Sequence, residues 1–338
     1  MTFDPEPGLT LAGTLCLPED ASARRRVPAI ALFGGTGGDT RDGDMAPERT
    51  PYVRDPPKRG LQRRIAHDLA MHGIATLRFD KRGCGESGGR ADLSDYETDL
   101  VDNVAAVRWL RERAEIDSGR VGACGHSAGA FNACMVAREL PDIACAGLLG
   151  ALSSAIEDLV RWNWARVRER WGSFSGEQRA WLRANRPREV VGAFREEEFI
   201  AAARRGDRTV RLEAEDVAVE VDLVRFRQDM ERPVVHELRN VRCPALVLHG
   251  GDDMNVRVED ALVTYRALRD AGNRDVDLVI IPAVDHSFQP VVGDPVARIW
   301  DRVTLATFGR PVSPLALRTI SGWAARVLDA TVPPRESA

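Results

Sequence analysis

A serine between two glycines is the part of this sequence best suited to covalent chemistry. Residues 125–129 are Gly-His-Ser-Ala-Gly, a G-x-S-x-G pattern centred on Ser127. The apolar run before it predicts a strand ending near Cys124, and the residues from Ala128 onward predict a helix. A serine in such a sharp turn projects its hydroxyl above the sheet, and the helix N-terminus offers the Ala128 N–H to a developing oxyanion. Because a glycine-rich turn of any α/β protein is the alternative interpretation, the pattern needs catalytic partners.

Those partners follow later in the chain. A serine hydroxyl needs a general base, and the base needs a carboxylate to orient it. Residues 249–256 are His-Gly-Gly-Asp-Asp-Met-Asn-Val, residues 285–288 are Asp-His-Ser-Phe, and each segment follows a predicted strand. Serine, aspartate and histidine in this order on post-strand loops predict a triad of Ser127, Asp253 and His286. Asp253 is preferred to Asp252 because its spacing to the strand and to Val256 fits an acid loop better.

The other titratable residues near these motifs have structural interpretations. His249 lies at a strand end and is expected to brace the acid loop, and Asp285 is expected to brace the loop of the base. His126 is on the turn but is expected to point away from the serine. No role as a base is predicted for the remaining histidines, His67, His72 and His236.

These motifs require a sheet whose strands end at one edge, and the chain shows the alternation of strands and helices that builds such a sheet. Short apolar runs alternate with amphipathic helical patterns, which indicates an α/β fold with a mostly parallel central sheet flanked by helices. An antiparallel strand or hairpin is predicted at 9–17. The predicted strands are 28–33, 74–79, 120–124, 143–149, 245–248 and 276–281, and the predicted helices are 59–72, 96–113, 128–140, 258–271, 295–307 and 315–329.

The alternation is interrupted in one place, which divides the chain into core residues 1–152, an insertion at 153–239, and core residues 240–338. The insertion is predicted to be mainly helical. Ser175 to Gln178 form a plausible capping box for one of its helices. At Val217 to Leu223 alternating apolar residues let a short strand compete with a helix, and both remain open.

Composition limits the function classes. The 338 residues are 44% hydrophobic and 29% charged, with a formal net charge of −4, so the chain has no global attraction to nucleic acid or to a membrane. No apolar run approaches the roughly 18 residues of a membrane span, and no secretory signal is expected. The cysteines are dispersed, which predicts reduced thiols in a cytoplasmic protein and no structural zinc site.

Taken together, the motifs resemble those of serine hydrolases of the α/β-hydrolase superfamily, over about residues 9–150 and 240–308. Residues 249–256 resemble the family's His-Gly-x-x-Asp-x-x-Val acid loop, and residues 286–288 its His-x-Phe element. Residues 79–87 resemble an Asp-x-Arg-Gly-x-Gly-x-Ser loop that is usually structural, and residues 39–43 resemble an acidic stretch of some bacterial acyl-ester hydrolases. The glycine loop at 33–38 resembles the oxyanion loop, with Gly34 in place of the usual histidine. The resemblance implies the backbone N–H groups of Thr36 and Ala128 as oxyanion donors.

The same resemblance implies that the insertion, placed after the sixth strand, is a lid. Its aromatic residues Trp162, Trp164, Trp171, Trp181 and Phe174 would then line an apolar acyl channel. Alternatively they pack the lid onto the core or form a homodimer surface. The arginines between 161 and 188 suit a phosphorylated carrier such as coenzyme A, but a solvated helix face is the simpler interpretation.

The predicted function is hydrolysis of a small-molecule carboxylic ester or thioester through an acyl-enzyme, without metal or organic cofactor. A carrier-linked thioesterase, an acyltransferase, and a non-hydrolytic cyclase or ligand-binding protein on the same fold remain as alternatives. A peptidase of the superfamily is less favoured, because the residues before the strand at 28–33 leave no room for a propeller-sized gating domain.

Overall fold

The fold is built on one eight-stranded sheet. The computed structural model describes residues 1–36, 39–48 and 56–330. The sheet strands are β1 (Thr2–Glu6), β2 (Leu9–Cys16), β3 (Val27–Phe33), β4 (Ala75–Phe79), β5 (Ile116–His126), β6 (Ala146–Leu149), β9 (Ala245–Gly250) and β10 (Val276–Ile281). They are ordered β1-β2-β4-β3-β5-β6-β9-β10. β1 and β2 are antiparallel, β2 is antiparallel to β4, and all later pairs are parallel.

Helices cover both faces of this sheet. They are α1 (Leu61–Met71), α2 (Tyr96–Arg111), α3 (Ala128–Glu139), α9 (Glu259–Asp270) and α11 (Pro314–Val327). A further helix, α10 (Pro295–Thr304), packs its apolar residues against the segment between β6 and β9 instead of the sheet. The apolar side chains of α2, α3 and α9 share one core with the sheet, and those of α1 and α11 share the core on the other face. Parallel strands covered on both sides are apolar throughout, which is why β3 is buried along its whole length.

The predicted elements are present, with shifted ends. β5 is longer than predicted and begins at Ile116, and β6 begins only at Ala146. α1 begins at Leu61, because Gly60 before it has the left-handed conformation at φ 59°. α2 begins with a capping box between Asp95 and Thr98 that satisfies its first N–H groups.

The segment between β6 and β9 adds no strand to the main sheet. It contains α4 (Ile156–Arg170), α5 (Gly176–Asn185), α6 (Pro187–Arg205), β7 (Thr209–Ala214), β8 (Val217–Asp222), α7 (Val224–Glu231) and α8 (Val234–Glu237). The capping box predicted for Ser175 and Gln178 is formed. The open question at residues 217–223 is answered by a strand, because β7 and β8 pair as a hairpin. Its two-residue loop, Glu215 and Asp216, has positive φ at both positions, as a tight hairpin turn requires.

This insertion has an apolar core of its own. Trp164 lies edge-on to Phe199 with ring centroids 5.1 Å apart, and Phe199 packs on Phe226 at 4.6 Å. The insertion is therefore a packed unit of helices and one hairpin, placed in the connection between β6 and β9.

No helix within the described ranges is long and apolar enough to cross a membrane.

Candidate active site

Ser127 occupies a strained turn between β5 and α3. Its backbone is at φ 56° and ψ −123°, a conformation that costs a non-glycine residue free energy. The flanking glycines make the turn possible: a Cβ at Gly125 would lie 1.8 Å from the Gly129 carbonyl oxygen, and one at Gly129 would lie 2.3 Å from the Phe33 carbonyl oxygen. The G-x-S-x-G spacing is therefore required by backbone contacts, and it orients a serine at the carboxyl edge of the sheet.

Asp253 and His286 are hydrogen-bonded to each other. His286 Nδ1 lies 2.6 Å from Asp253 Oδ2. The other carboxylate oxygen of Asp253 accepts the backbone N–H groups of Asn255 and Val256 at 2.7 and 2.9 Å. Burial alone would raise the pKa of Asp253. The charge of His286 and the hydrogen bonds from His286 and His249 outweigh burial and hold that pKa below its ordinary value. The carboxylate therefore stays ionised beside the imidazole.

His286 also lies next to the turn that carries Ser127. The Ser127 N–H donates to the Leu149 carbonyl oxygen at 2.8 Å. Gly150, the residue after Leu149, lies against the His286 ring. A Cβ at Gly150 would lie 3.1 Å from His286 Cε1. His126 Nε2 is 2.8 Å from the His286 carbonyl oxygen, so the turn and the base loop are tied together. Among the described residues no hydrogen bond joins the Ser127 hydroxyl to His286, a bond that often tightens only when substrate is bound.

Asp252 has a different environment. Its carboxylate pairs with Arg298 at 2.7 Å and is partly exposed, whereas Asp253 is buried against His286. Asp285 accepts the N–H groups of Ser287 and Gln289 at 2.9 and 2.8 Å, which is the bracing role expected for it. The geometry favours Asp253 as the partner of the imidazole.

Sequence reasoning missed one direct contact of the acid. His249 was expected only to brace the loop, but its Nε2 lies 3.2 Å from Asp253 Oδ2 as well as 3.2 Å from the Val256 carbonyl oxygen. Burial would lower the pKa of His249, but the hydrogen bond to Asp253 and its charge raise it. The available signal was the four-residue spacing between the two side chains, which places both at the end of β9.

The predicted oxyanion loop lies directly over the serine turn. A Cβ at Gly35 would lie 2.6 Å from Ser127 Cβ and 3.2 Å from the Ala128 nitrogen, so only glycine allows this approach. The Gly35 carbonyl oxygen accepts a hydrogen bond from Lys81 Nζ at 2.7 Å. Thr36 follows and is exposed. The remainder of this loop, residues 37 and 38, lies outside the described residues.

The loop at residues 79–87 is held by an aspartate, as expected for a structural element. Asp80 accepts the backbone N–H of Arg41 at 2.6 Å and that of Glu86 at 3.1 Å, and it pairs with the Arg41 guanidinium. The Ser87 hydroxyl donates to the Asp80 carbonyl oxygen at 2.6 Å. This network fixes both Lys81, which follows Asp80, and the acidic stretch at 39–43.

The aromatic residues predicted to contact substrate are used in packing. Trp164 and Phe174 are buried within apolar clusters that the insertion forms, the latter together with α10. Trp171 donates its indole N–H to Glu215 at 3.0 Å, and the Trp162 ring lies 3.4 Å from the Arg166 guanidinium. The fifth aromatic residue, Trp181, packs on Trp300 of α10 with ring centroids 5.6 Å apart. These contacts lend no support to an acyl channel lined by the five residues, which stays a prediction.

Three of the arginines between residues 161 and 188 pair with glutamates of the insertion. Arg161 pairs with Glu197 at 2.6 Å, Arg183 pairs with Glu215 at 3.1 Å, and Arg168 pairs with Glu196. Surface pairs of this kind favour the solvated-face interpretation over a site for a phosphorylated carrier.

Helix α4 of the insertion contacts the acid loop directly. Asn163 Nδ2 donates to the Asn255 carbonyl oxygen at 2.9 Å, and Arg166 donates to the Met254 carbonyl oxygen. Burial and the nearby Arg302 lower the pKa of Arg166 to about 9. We call these two contacts the acid-loop clamp. They join the insertion to the two residues after Asp253, and no sequence pattern indicated them.

The strand order, the strained serine turn and the position of the insertion define an α/β-hydrolase fold, and comparison with solved structures confirms it. Est1E from Butyrivibrio proteoclasticus, solved with ferulic acid bound, has a TM-score of 0.55 at 18% identity, covering 92% of this chain and 98% of its own. The α/β-hydrolase GrgF from Penicillium sp. sh18 has a TM-score of 0.53 at 18% identity, covering 85% and 90% of the two chains.

The family follows from the sequence match. Residues 45–287 match the model of the family described as X-Pro dipeptidyl-peptidase (S15 family), and the chain belongs to this family of hydrolases. A stretch of 121 residues is also 28% identical to the esterase EstD of Thermotoga maritima. That match covers 36% of this chain and 26% of EstD, so it spans about a quarter of the relative's length.

Proposed function

We propose that the protein hydrolyses carboxylic esters through an acyl-enzyme formed on Ser127, with His286 as general base and Asp253 as the acid. The observation that carries this proposal is the 2.6 Å hydrogen bond between His286 Nδ1 and the buried Asp253 carboxylate, next to the strained turn of Ser127. A parallel sheet by itself does not require a buried imidazole–carboxylate pair beside a half-buried serine at the carboxyl ends of its strands. A triad does require one.

The roles of the three side chains follow from their hydrogen bonds. Asp253 accepts the Nδ1–H of His286, which leaves Nε2 unprotonated and able to take the proton of the Ser127 hydroxyl. Ser127 Oγ then attacks the ester carbonyl carbon, and the imidazolium gives its proton to the departing alcohol. In the second half-reaction His286 deprotonates a water that cleaves the acyl-enzyme. Because the pKa of Asp253 is held low, its charge is available to stabilise the imidazolium throughout.

The oxyanion is assigned to two backbone donors, the N–H groups of Thr36 and Ala128. The contact of Gly35 with Ser127 and Ala128 supports this assignment, because it brings the two backbone segments together over the serine. Such donors stabilise charge that develops only in the transition state, and the loss of one costs about 10²–10³ in kcat.

Peptide cleavage is the second candidate, because the family bears the name of an X-Pro dipeptidyl peptidase. The same three residues could cleave an amide, and the two functions differ in the substrate. The similarity to EstD supports the ester. Thioester cleavage would use the same acyl-enzyme with a thiol as the leaving group, and acyl transfer would use it with an acceptor other than water. Both remain alternatives, as does a non-hydrolytic cyclase or ligand-binding protein on the same fold. The six free cysteines agree with a cytoplasmic location, which stays a prediction.

The test compares two serine variants on a substrate panel. Ser127→Ala is expected to lower turnover of p-nitrophenyl esters by at least about 10⁴-fold. Ser173→Ala, at an exposed serine, is expected to match the wild type. Thioesters and Gly-Pro-p-nitroanilide complete the panel. Full ester turnover by Ser127→Ala would contradict the proposal, and a preference for the anilide would replace the esterase with the peptidase.

A further inference from the structure

We propose that Lys81 is a positioning residue for catalysis, which holds the Gly35–Thr36 peptide so that the Thr36 N–H is presented to the oxyanion. This inference rests on the proposed function and adds a residue to it. Lys81 touches neither substrate nor Ser127 in this account, and it acts through one peptide group.

The first observation is the contact itself. Lys81 Nζ donates to the Gly35 carbonyl oxygen at 2.7 Å, from a side chain that is only 10% exposed. The ammonium also lies 3.7 Å from Asp39 Oδ1, and the Lys81 backbone N–H donates to the Asp39 carbonyl oxygen at 2.8 Å. A buried ammonium needs such a countercharge and a hydrogen-bond acceptor. The acceptor here is a carbonyl of the loop assigned to the oxyanion.

The second observation is which peptide group Lys81 holds. The Gly35 carbonyl and the Thr36 N–H belong to the same peptide unit. In a trans peptide these two groups point in opposite directions, and no cis peptide is present in the described part of the chain. A donor fixed on the carbonyl therefore fixes the direction of the N–H on the other side. It also polarises the peptide, which strengthens the N–H as a donor.

The third observation is that the backbone alone does not fix this orientation. Residues 34 and 35 are both glycine, and glycine permits backbone conformations that other residues do not. Gly35 is required because a Cβ would collide with the His126 carbonyl oxygen and with Ser127 Cβ, at 2.5 and 2.6 Å. The serine turn demands a glycine at position 35, so no side chain there restricts the orientation of the Gly35–Thr36 peptide. The hydrogen bond from Lys81 supplies that restriction from outside the loop.

The residue type fits this role. Lys58 and Lys81 are the two lysines of a chain that otherwise uses arginine for its basic side chains. An ammonium is a compact donor on a flexible stem, and it reaches a single carbonyl where the planar guanidinium would need more space. Lys58 is exposed and serves as a natural control.

The test compares Lys81→Met with Lys58→Met, alongside Ser127→Ala. Lys81→Met is expected to lower kcat for p-nitrophenyl esters by about 10- to 100-fold, somewhat less than removal of the donor itself, while KM stays within about 2-fold of the wild type. A trifluoromethyl ketone forms a hemiketal with the Ser127 oxygen and places its oxyanion at the same donors. Its inhibition constant is expected to rise by the same factor as kcat/KM falls, because both measure the oxyanion contact.

A measurement on the wild type does not depend on whether Lys81→Met folds. With ¹⁵N at the lysine ζ position the chain gives two signals, which Lys58→Met assigns. Formation of the hemiketal is expected to shift the Lys81 signal and to leave the Lys58 signal in place.

The outcomes separate the two proposals. An inactive Ser127→Ala together with a fully active Lys81→Met, or a Lys81 signal unchanged by the inhibitor, would overturn the role of Lys81 and leave the triad standing. A loss in Lys81→Met that falls on KM alone would assign Lys81 to structure instead of positioning. Turnover by Ser127→Ala would end the proposed function and this inference with it.

Discussion

The residues at the sheet edge and the insertion above them are held in place by different kinds of contact. At the sheet edge, Ser127, Asp253 and His286 follow strands β5, β9 and β10, so strand order and backbone contacts bring their loops together. The insertion meets the same region through side-chain hydrogen bonds to backbone carbonyls, the acid-loop clamp. Backbone geometry therefore positions these three side chains, and separate polar side-chain contacts position the insertion.

A second polar attachment joins the insertion to α2. Arg225 of α7 pairs with the buried Asp99 at 2.7 Å, and the Tyr96 hydroxyl donates to Asp229 of α7 at 2.5 Å. The Arg225 guanidinium also stacks 3.7 Å from the Tyr96 ring. Since the insertion has its own apolar core, each attachment can be weakened by one substitution without emptying that core.

The largest expected effect is at the sheet edge. Asp253→Asn preserves shape but replaces the carboxylate that orients His286, so we expect kcat for ester hydrolysis to fall about 10⁴-fold. Asp252→Asn, one residue away and paired with Arg298, is the matched control and should change kcat by less than about 3-fold. Steady-state kinetics of the two variants show which aspartate orients His286. The reverse order would transfer the acid role to Asp252.

A smaller effect is expected from the acid-loop clamp. Arg166→Ala removes the donor to the Met254 carbonyl and the stacking on Trp162, which loosens the residues next to Asp253. We expect kcat/KM to fall about 10-fold, because a misplaced catalytic group costs rate without a change in chemistry. Arg161→Ala, on the same helix and paired at the surface with Glu197, should leave kcat/KM unchanged. Equal rates for the two variants would show that the insertion does not support the acid loop.

The smallest effect concerns stability and pH. Desolvation raises the pKa of Asp229 to about 6, despite the opposing hydrogen bond from Tyr96 and the charge of Arg225. Between about pH 4 and pH 6 the folded protein therefore holds a proton that the unfolded chain, with an aspartate pKa of about 3.9, has lost, so this group's contribution to stability falls over that interval and changes no further above it. We expect the melting midpoint of Asp229→Asn, relative to the wild type, to rise by a few degrees between pH 4.5 and 7.5. Asp216→Asn, at an exposed turn, should show no such trend.

Features set by the backbone were predictable from the sequence, and contacts made by distant side chains were not. The parallel sheet, its flanking helices and the placement of Ser127, Asp253 and His286 after strands were predictable, because strand periodicity and the glycines around Ser127 are local signals. The sequence does not decide between strand and helix at 217–222, because the hairpin partner of this strand is β7 and strand pairing is not a local signal. The acid-loop clamp and the Lys81 contact were missed, since a side chain bound to a distant carbonyl leaves no spacing to detect. The direct contact of His249 with Asp253 was within reach of spacing, but bracing the loop was the simpler interpretation.

The central claim is that one serine of this chain is activated as a nucleophile. The most direct measurement is mass spectrometric mapping after reaction with a fluorophosphonate, which attacks activated serines. The account predicts one adduct, on Ser127, that a rapid ester substrate suppresses and that Asp253→Asn forms far more slowly than Asp252→Asn. An adduct on another residue, or no adduct in protein that still hydrolyses esters, would contradict it.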